Sequence, residues 1–115
     1  DCAKFIQREI RRGRKYDGII MDPPSYGRGP SGEIWKMETS FYPFLQEVLK
    51  VLSDDPLFVI INSYTTGLAP SAVAYASDVV FGGKYGGKTE AGELGLMVRQ
   101  SGLVLPCGAT GRWTP

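Results

Sequence analysis

Tyr16–Gly29, YDGIIMDPPSYGRG, is the stretch that decides how this chain is organised. Gly18-Ile19-Ile20-Met21 is a short unbroken apolar run, the pattern of a strand buried on both faces of a parallel sheet. Pro23 and Pro24 lack the N–H that a ladder needs, and a residue preceding proline is driven toward extended geometry. The strand therefore ends there, with Asp22 on a stiff backbone at its C-terminal tip. Open α/β sheets bind their ligands at that end of the strands.

An Asp-Pro-Pro tip offers specific chemistry. A carboxylate beside a carbonyl, both fixed by prolines, can accept the two hydrogens of an amine and turn its lone pair toward an electrophile. Asp22, the Pro23 carbonyl and the stiffening Pro24 are the candidate catalytic group, with Ser25 a candidate substrate contact. Tyr26 is placed to stack on a planar substrate. The same letters have a plainer reading, in which Asp22 caps the next turn and the prolines merely end a strand. Composition and spacing leave both open.

Working outward, Ala3–Arg12 reads as a helix with Phe5, Ile6 and Ile10 on one side and basic residues opposite, closed by Gly13. Asp1 stands before its first turn as a candidate cap. After the tip, Gly27–Gly32 reads as a mobile lid or substrate loop, and Trp35 as core or as a substrate platform. Phe44, Leu45, Val48, Leu49 and Leu52 predict a helix over 42–53, and Leu57–Ile61 a second buried strand. Asn62 follows that strand, where it contacts substrate or ties down its own loop. A weaker helix is expected over 70–81, then strands at 94–98 and 103–106 joined through Gln100-Ser101-Gly102. This order of elements is the second half of a doubly wound sheet.

Composition sets the bounds. The chain has 115 residues, 43% hydrophobic and 22% charged, which suits one ordinary globular domain. No apolar run approaches the ~20 residues of a membrane span. Cys2 and Cys107 are too distant in sequence to indicate a disulfide framework, so a reducing cytoplasm is the simpler setting. Histidine is absent, which excludes His-dependent triads and argues against a zinc site on two cysteines; no metal is expected. The net charge is only +1, yet Lys4, Arg8, Arg11, Arg12, Arg14 and Lys15 gather six of 13 basic residues in one run, either a solvated helix face or a contact for an RNA backbone.

Beyond the residues taken singly, Asp22-Pro23-Pro24-Ser25-Tyr26 resembles the fourth motif of class I S-adenosylmethionine-dependent methyltransferases, with the aromatic one place later than in the amino-methylating branches. DCAKFIQREIRRGRKYDGIIMDPPSYGRGPSGEIWK, FVIINSYTTGL and LVLPCGATGRW together resemble the C-terminal half of the bacterial methyltransferases akin to those that modify 23S ribosomal RNA. The resemblance implies an α/β fold, the second half of a Rossmann-like methyltransferase sheet, mostly parallel with a C-terminal antiparallel hairpin. It implies S-adenosylmethionine as cofactor, with the Asp1 side chain and the Cys2 backbone N–H receiving adenine, and RNA, ribosomal above all, as partner. Residues 1–115 are then a single domain that forms part of a larger methyltransferase domain, since the family's glycine-rich cofactor loop precedes this region. If nothing precedes Asp1, the first strand becomes an exposed apolar edge open to self-association.

Carbon-5 methylation of a pyrimidine needs a cysteine thiolate, and neither strand tip carries one; Cys107 reads as a packed thiol. A base nitrogen is the favoured acceptor. Two other functions remain open: a non-catalytic RNA-binding or oligomerising half-fold, and nucleotide hydrolysis. The latter rests on Gly82–Thr89, GGKYGGKT, which matches a phosphate-loop pattern. A phosphate loop must follow a buried strand and open a helix, whereas a glycine-rich turn between helix and strand explains the same letters.

Overall fold

The computed structural model describes residues 1–115, in the order α1 (Cys2–Arg11), β1 (Gly18–Met21), β2 (Tyr26–Arg28), β3 (Ile34–Lys36), α2 (Met37–Leu49), β4 (Phe58–Ser63), α3 (Pro70–Ser77), a π-helical turn (Asp78–Gly82), α4 (Gly83–Tyr85), β5 (Lys88–Met97) and β6 (Val104–Thr114). The main sheet runs β1-β4-β6-β5, with β1 parallel to β4 and the other two pairings antiparallel. The fold is thus α/β, with a parallel-containing sheet closed by an antiparallel C-terminal hairpin whose second strand inserts beside β4. No helix is long and apolar enough to cross a membrane.

Strand alternation gives the sheet two unlike faces. The row Ile19–Val59–Trp113–Thr89 points to the helices, and Val59 and Trp113 are fully buried. The next row, Ile20–Ile60–Arg112–Glu90, lies on the opposite face, where Ile20 is 68% exposed and Arg112 pairs with Glu90. Helix α2 contributes Leu45 and Val48 to the core, and α3 and the π-turn contribute Val73, Val80 and Phe81. Each such burial stabilises by ~1.5–3 kcal/mol, so the sheet is held from the helix side. Trp113 anchors its end: the indole N–H donates to the Gly86 carbonyl at 3.1 Å, and Phe81 and Tyr85 pack on the ring.

Several sequence expectations change in detail. Strand β1 occupies the expected residues but is not buried on both faces, because it is the edge strand and the helices of this chain lie on one side. Helix α2 begins at Met37 instead of 42. Met37 and Phe41 extend the apolar stripe toward the N-terminus, and Pro43 is accommodated inside the helix. It ends at Leu49, where Lys50 and Val51 switch to i→i−3 bonds. Within Gly27–Gly32, Gly27 and Arg28 belong to strand β2 and the rest to the 29–33 turn of a small antiparallel hairpin, β2–β3. Strand β5 has 10 residues where 94–98 was expected, and β6 has 11 where 103–106 was expected. Gly82–Thr89 runs from the π-turn through α4 and two positive-φ glycines, Gly86 and Gly87, into β5; its Lys88-Thr89 end opens a strand and not a helix, and helical residues, not a buried strand, precede it, so it is a helix-to-strand turn and no phosphate loop.

Candidate functional site

Asp1 accepts hydrogen bonds from Ala3 N and Lys4 N at 3.1 and 3.3 Å, the capping geometry its position predicted. Phe5 N closes on the Asp1 carbonyl. That leaves the Cys2 N–H as the amide of the first turn without a partner. Lys4 Nζ bridges Asp1 Oδ2 at 3.7 Å and Glu33 Oε1 at 3.4 Å, tying α1 to the β2–β3 loop. The Glu33 carboxyl is held below its ordinary range, chiefly by its own backbone N–H and further by Lys4.

Facing this helix start is the Asp22 tip. Register Met21↔Ile61 sets the ends of β1 and β4 side by side. Asp22 is exposed and its carboxylate takes no hydrogen bond or ion pair within the chain, and Pro23 is buried with its carbonyl likewise free. The next residues are tied down. The Pro24 carbonyl accepts the Trp35 indole N–H at 2.6 Å, the Ser25 carbonyl accepts Met37 N–H at 3.0 Å, and Ser25 Oγ shares a 2.8 Å bond with Thr65 Oγ1.

An open cleft of about 1140 Å³ lies between these parts, and Asp1, Cys2, Asp22, Pro23, Pro24 and Trp35 all line it. Six sequence-selected residues thus share one wall system. Tyr26, on β2 and 54% exposed, stands outside the cleft, opposite Lys36 in the hairpin. Ser25 is occupied as a strut between the tip and the loop after β4. Asn62 lies on the open sheet face, where its Oδ1 accepts from Thr110 Oγ1 at 2.7 Å, so its carboxamide links β4 to β6. Cys107 is half-buried, its thiol donating to the Leu94 carbonyl.

The basic run is largely spent inside the molecule. Arg12 and Arg14 turn to Glu9, Lys15 donates to the Lys50 carbonyl, and Lys4 makes the bridge above. Arg8 lies over the Phe5 ring, and Arg11 has no carboxylate partner. Sequence reasoning missed Glu9 itself, which is 2% exposed and accepts from Tyr16 at 2.6 Å. Its signal was its place on the apolar stripe between Ile6 and Ile10.

No protein-family model matches the chain, and no curated protein matches it. Among solved structures, it is 32% identical to a SAM-dependent methyltransferase from Agrobacterium tumefaciens over its whole length, with a TM-score of 0.88. It covers 38% of that protein. A SAM-dependent methyltransferase assigned in Streptococcus mutans superposes with a TM-score of 0.68 at 16% identity, over 29% of its length. A protein assigned as a methyltransferase and solved with S-adenosylhomocysteine gives 0.65 at 18%, over 30% of its length. With the parallel β1–β4 pair, the inserted antiparallel β6 and the match over its whole length, this chain carries part of the class I S-adenosylmethionine-dependent methyltransferase fold.

Proposed function

We propose that this chain is the acceptor-side part of an S-adenosylmethionine-dependent methyltransferase that acts on a nitrogen of a nucleic-acid base, with ribosomal RNA in the cytoplasm as the substrate. One observation carries the reading: Asp1, Cys2 and Asp22-Pro23-Pro24 converge on a single cleft. Because the chain spans 38% of its Agrobacterium relative, the glycine-rich cofactor loop is assigned to a part of the domain outside residues 1–115.

The residues present fit the cofactor. Asp1 Oδ1 is used by the cap, but Oδ2 has only a long contact with Lys4, and the Cys2 N–H is unpartnered. One free acceptor and one free donor on adjacent residues match the exocyclic amine and a ring nitrogen of adenine. When bound, S-adenosylmethionine supplies an electrophilic methyl group on a positively charged sulfur. Asp22 and the Pro23 carbonyl accept the two N–H groups of an amine and so aim its lone pair, and the carboxylate stabilises the positive charge that develops on nitrogen.

The test is transfer of tritiated methyl to ribosomal RNA by the polypeptide that carries this chain. Asp22→Ala is expected to lower the rate by about 10²–10³-fold. Normal transfer by that variant ends the assigned role. RNA binding that ignores S-adenosylhomocysteine, with no transfer at all, would favour the non-catalytic module, for which exposed Arg8 and Arg11 are the available contacts.

A further inference from the structure

We propose that Trp35 is the positioning residue of the Asp22 tip: by holding the Pro24 carbonyl it fixes Asp22 and the Pro23 carbonyl as the pair presented to the methyl acceptor. The inference rests on the reading of that tip given under Proposed function.

Two prolines stiffen a chain incompletely. They fix φ at residues 23 and 24, and proline crowding confines ψ at residues 22 and 23. The first unrestricted torsion is ψ of Pro24, since Ser25 follows it. That torsion sets where the Pro24 carbonyl points, and this carbonyl is the one that takes the indole N–H, at 2.6 Å. The following carbonyl, of Ser25, is held by the first amide of α2 at 3.0 Å. The tip is therefore braced from its far side at consecutive peptide units, and the Pro23 carbonyl is left as the unpaired acceptor beside Asp22.

The residue type suits the task. Trp35 stands opposite Gly27 in the β2–β3 hairpin, and its ring meets Phe44 of α2 edge-on, with centroids 5.4 Å apart and planes at 86°. The ring is thereby fixed by packing, and its single N–H donor is aimed by that packing at the tip. Phenylalanine keeps the body and loses the donor.

The experiment uses Trp35→Phe in the polypeptide that carries this chain, with Asp22→Ala beside it, and ribosomal RNA with tritiated S-adenosylmethionine as the probe. The expected result is a single-turnover rate about 10–100-fold lower, because sub-ångström misplacement of reacting groups is that costly. S-adenosylhomocysteine affinity should stay within about twofold, and Tm within about 2 °C, a split that a merely structural role would not give. An unchanged rate in Trp35→Phe while Asp22→Ala is inactive overturns this proposal alone. Normal transfer by Asp22→Ala removes the reading beneath it. Should ribosomal RNA accept no methyl group, hydrogen exchange of the Trp35 indole proton in the same polypeptide decides: slowing of about tenfold or more over free indole supports the brace, and exchange at the free rate overturns it.

Discussion

The Tyr16 phenol donates a 2.6 Å hydrogen bond to the carboxylate of Glu9, which is only 2% exposed although it is the sole acid on a basic helix. Arg12 and Arg14 approach the same carboxylate at 3.3 and 4.0 Å. This cluster ties the end of α1 to the entry of β1. It therefore sets the separation between Asp1 and Cys2 at one side of the cleft and Asp22 at the other.

The pH dependence follows from this cluster. The Tyr16 bond chiefly, with the arginines, holds Glu9 below its ordinary value of 4.5 against the opposing effect of burial. A depressed carboxyl contributes stability that is present above about pH 4.5 and lost as pH falls through the folded value. Tyr16 is raised from 10.0, mainly by the same bond, so its contribution is present below pH 10 and lost above it. Glu9→Gln should therefore differ most from wild type in Tm near pH 6–7, with the gap closing on acidification below about pH 4.5. Tyr16→Phe should lower Tm at pH 7 by on the order of a few degrees. A wild-type-to-Gln gap that stays constant from pH 7 to pH 3 would sink the assignment.

How legible such features are depends on whether one residue or two must be read. Pro23 and Pro24 end a strand unaided, so β1 and the place of Asp22 could be read directly. Only the start of β6 could, as the expected strand at 103–106. Residues 107–114 carry no strand pattern of their own, and Gly108 and Gly111 register as sites of close approach only once Ser63 and Val73 are in place. The Trp35–Pro24, Ser25–Thr65 and Asn62–Thr110 bonds likewise join residues 11, 40 and 48 positions apart, and no local pattern encodes them. Asn62 shows the consequence: it was expected just after the strand, whereas β4 runs through it to Ser63, and the partner that occupies its side chain lies in the unread part of β6.

Asp1 carries a capping role and an assigned adenine role, and serine separates them. Ser caps about as well as Asp, whereas Ala costs about 0.5–2 kcal/mol. Asp1→Ser should therefore keep wild-type Tm, while Asp1→Ala lowers it. Both should weaken S-adenosylhomocysteine binding by about tenfold, since each removes the carboxylate acceptor. Calorimetric titration checks this, and wild-type affinity in the serine variant would leave Asp1 as a cap only.

Gly108 permits β6 to lie beside β4. A Cβ there would meet the Ser63 carbonyl oxygen at 2.5 Å, a backbone atom that cannot rotate away. Gly108→Ala should cost about 1–3 kcal/mol, seen as a lower urea midpoint with an unchanged m-value. Gly92→Ala, with nothing within 4 Å of its added carbon, is the matched control and should be close to neutral. Equal midpoints for the two variants would mean that the sheet yields at Gly108.

Strand β1 is paired only with β4, and Ile20 on it is 68% exposed, so its outer backbone groups are free to pair with a second copy. Antiparallel self-pairing centred between Ile19 and Ile20 sets Gly18 opposite Met21, and exposed Asp17 opposite exposed Asp22. Acid facing acid at both ends opposes that pairing, by roughly 0.2–1 kcal/mol for each contact. Association of the isolated 115-residue chain should consequently be weak at low ionic strength and strengthen as salt screens the aspartates, the reverse of an ion-pair interface. Asp17→Asn should strengthen it at low salt, and Ile20→Lys should abolish it. Light scattering coupled to size exclusion at about 50 mM and 500 mM salt tests both, against Debye lengths of roughly 14 and 4 Å. A monomer at every salt and concentration, or an association that salt weakens, would rule out β1 as the contact.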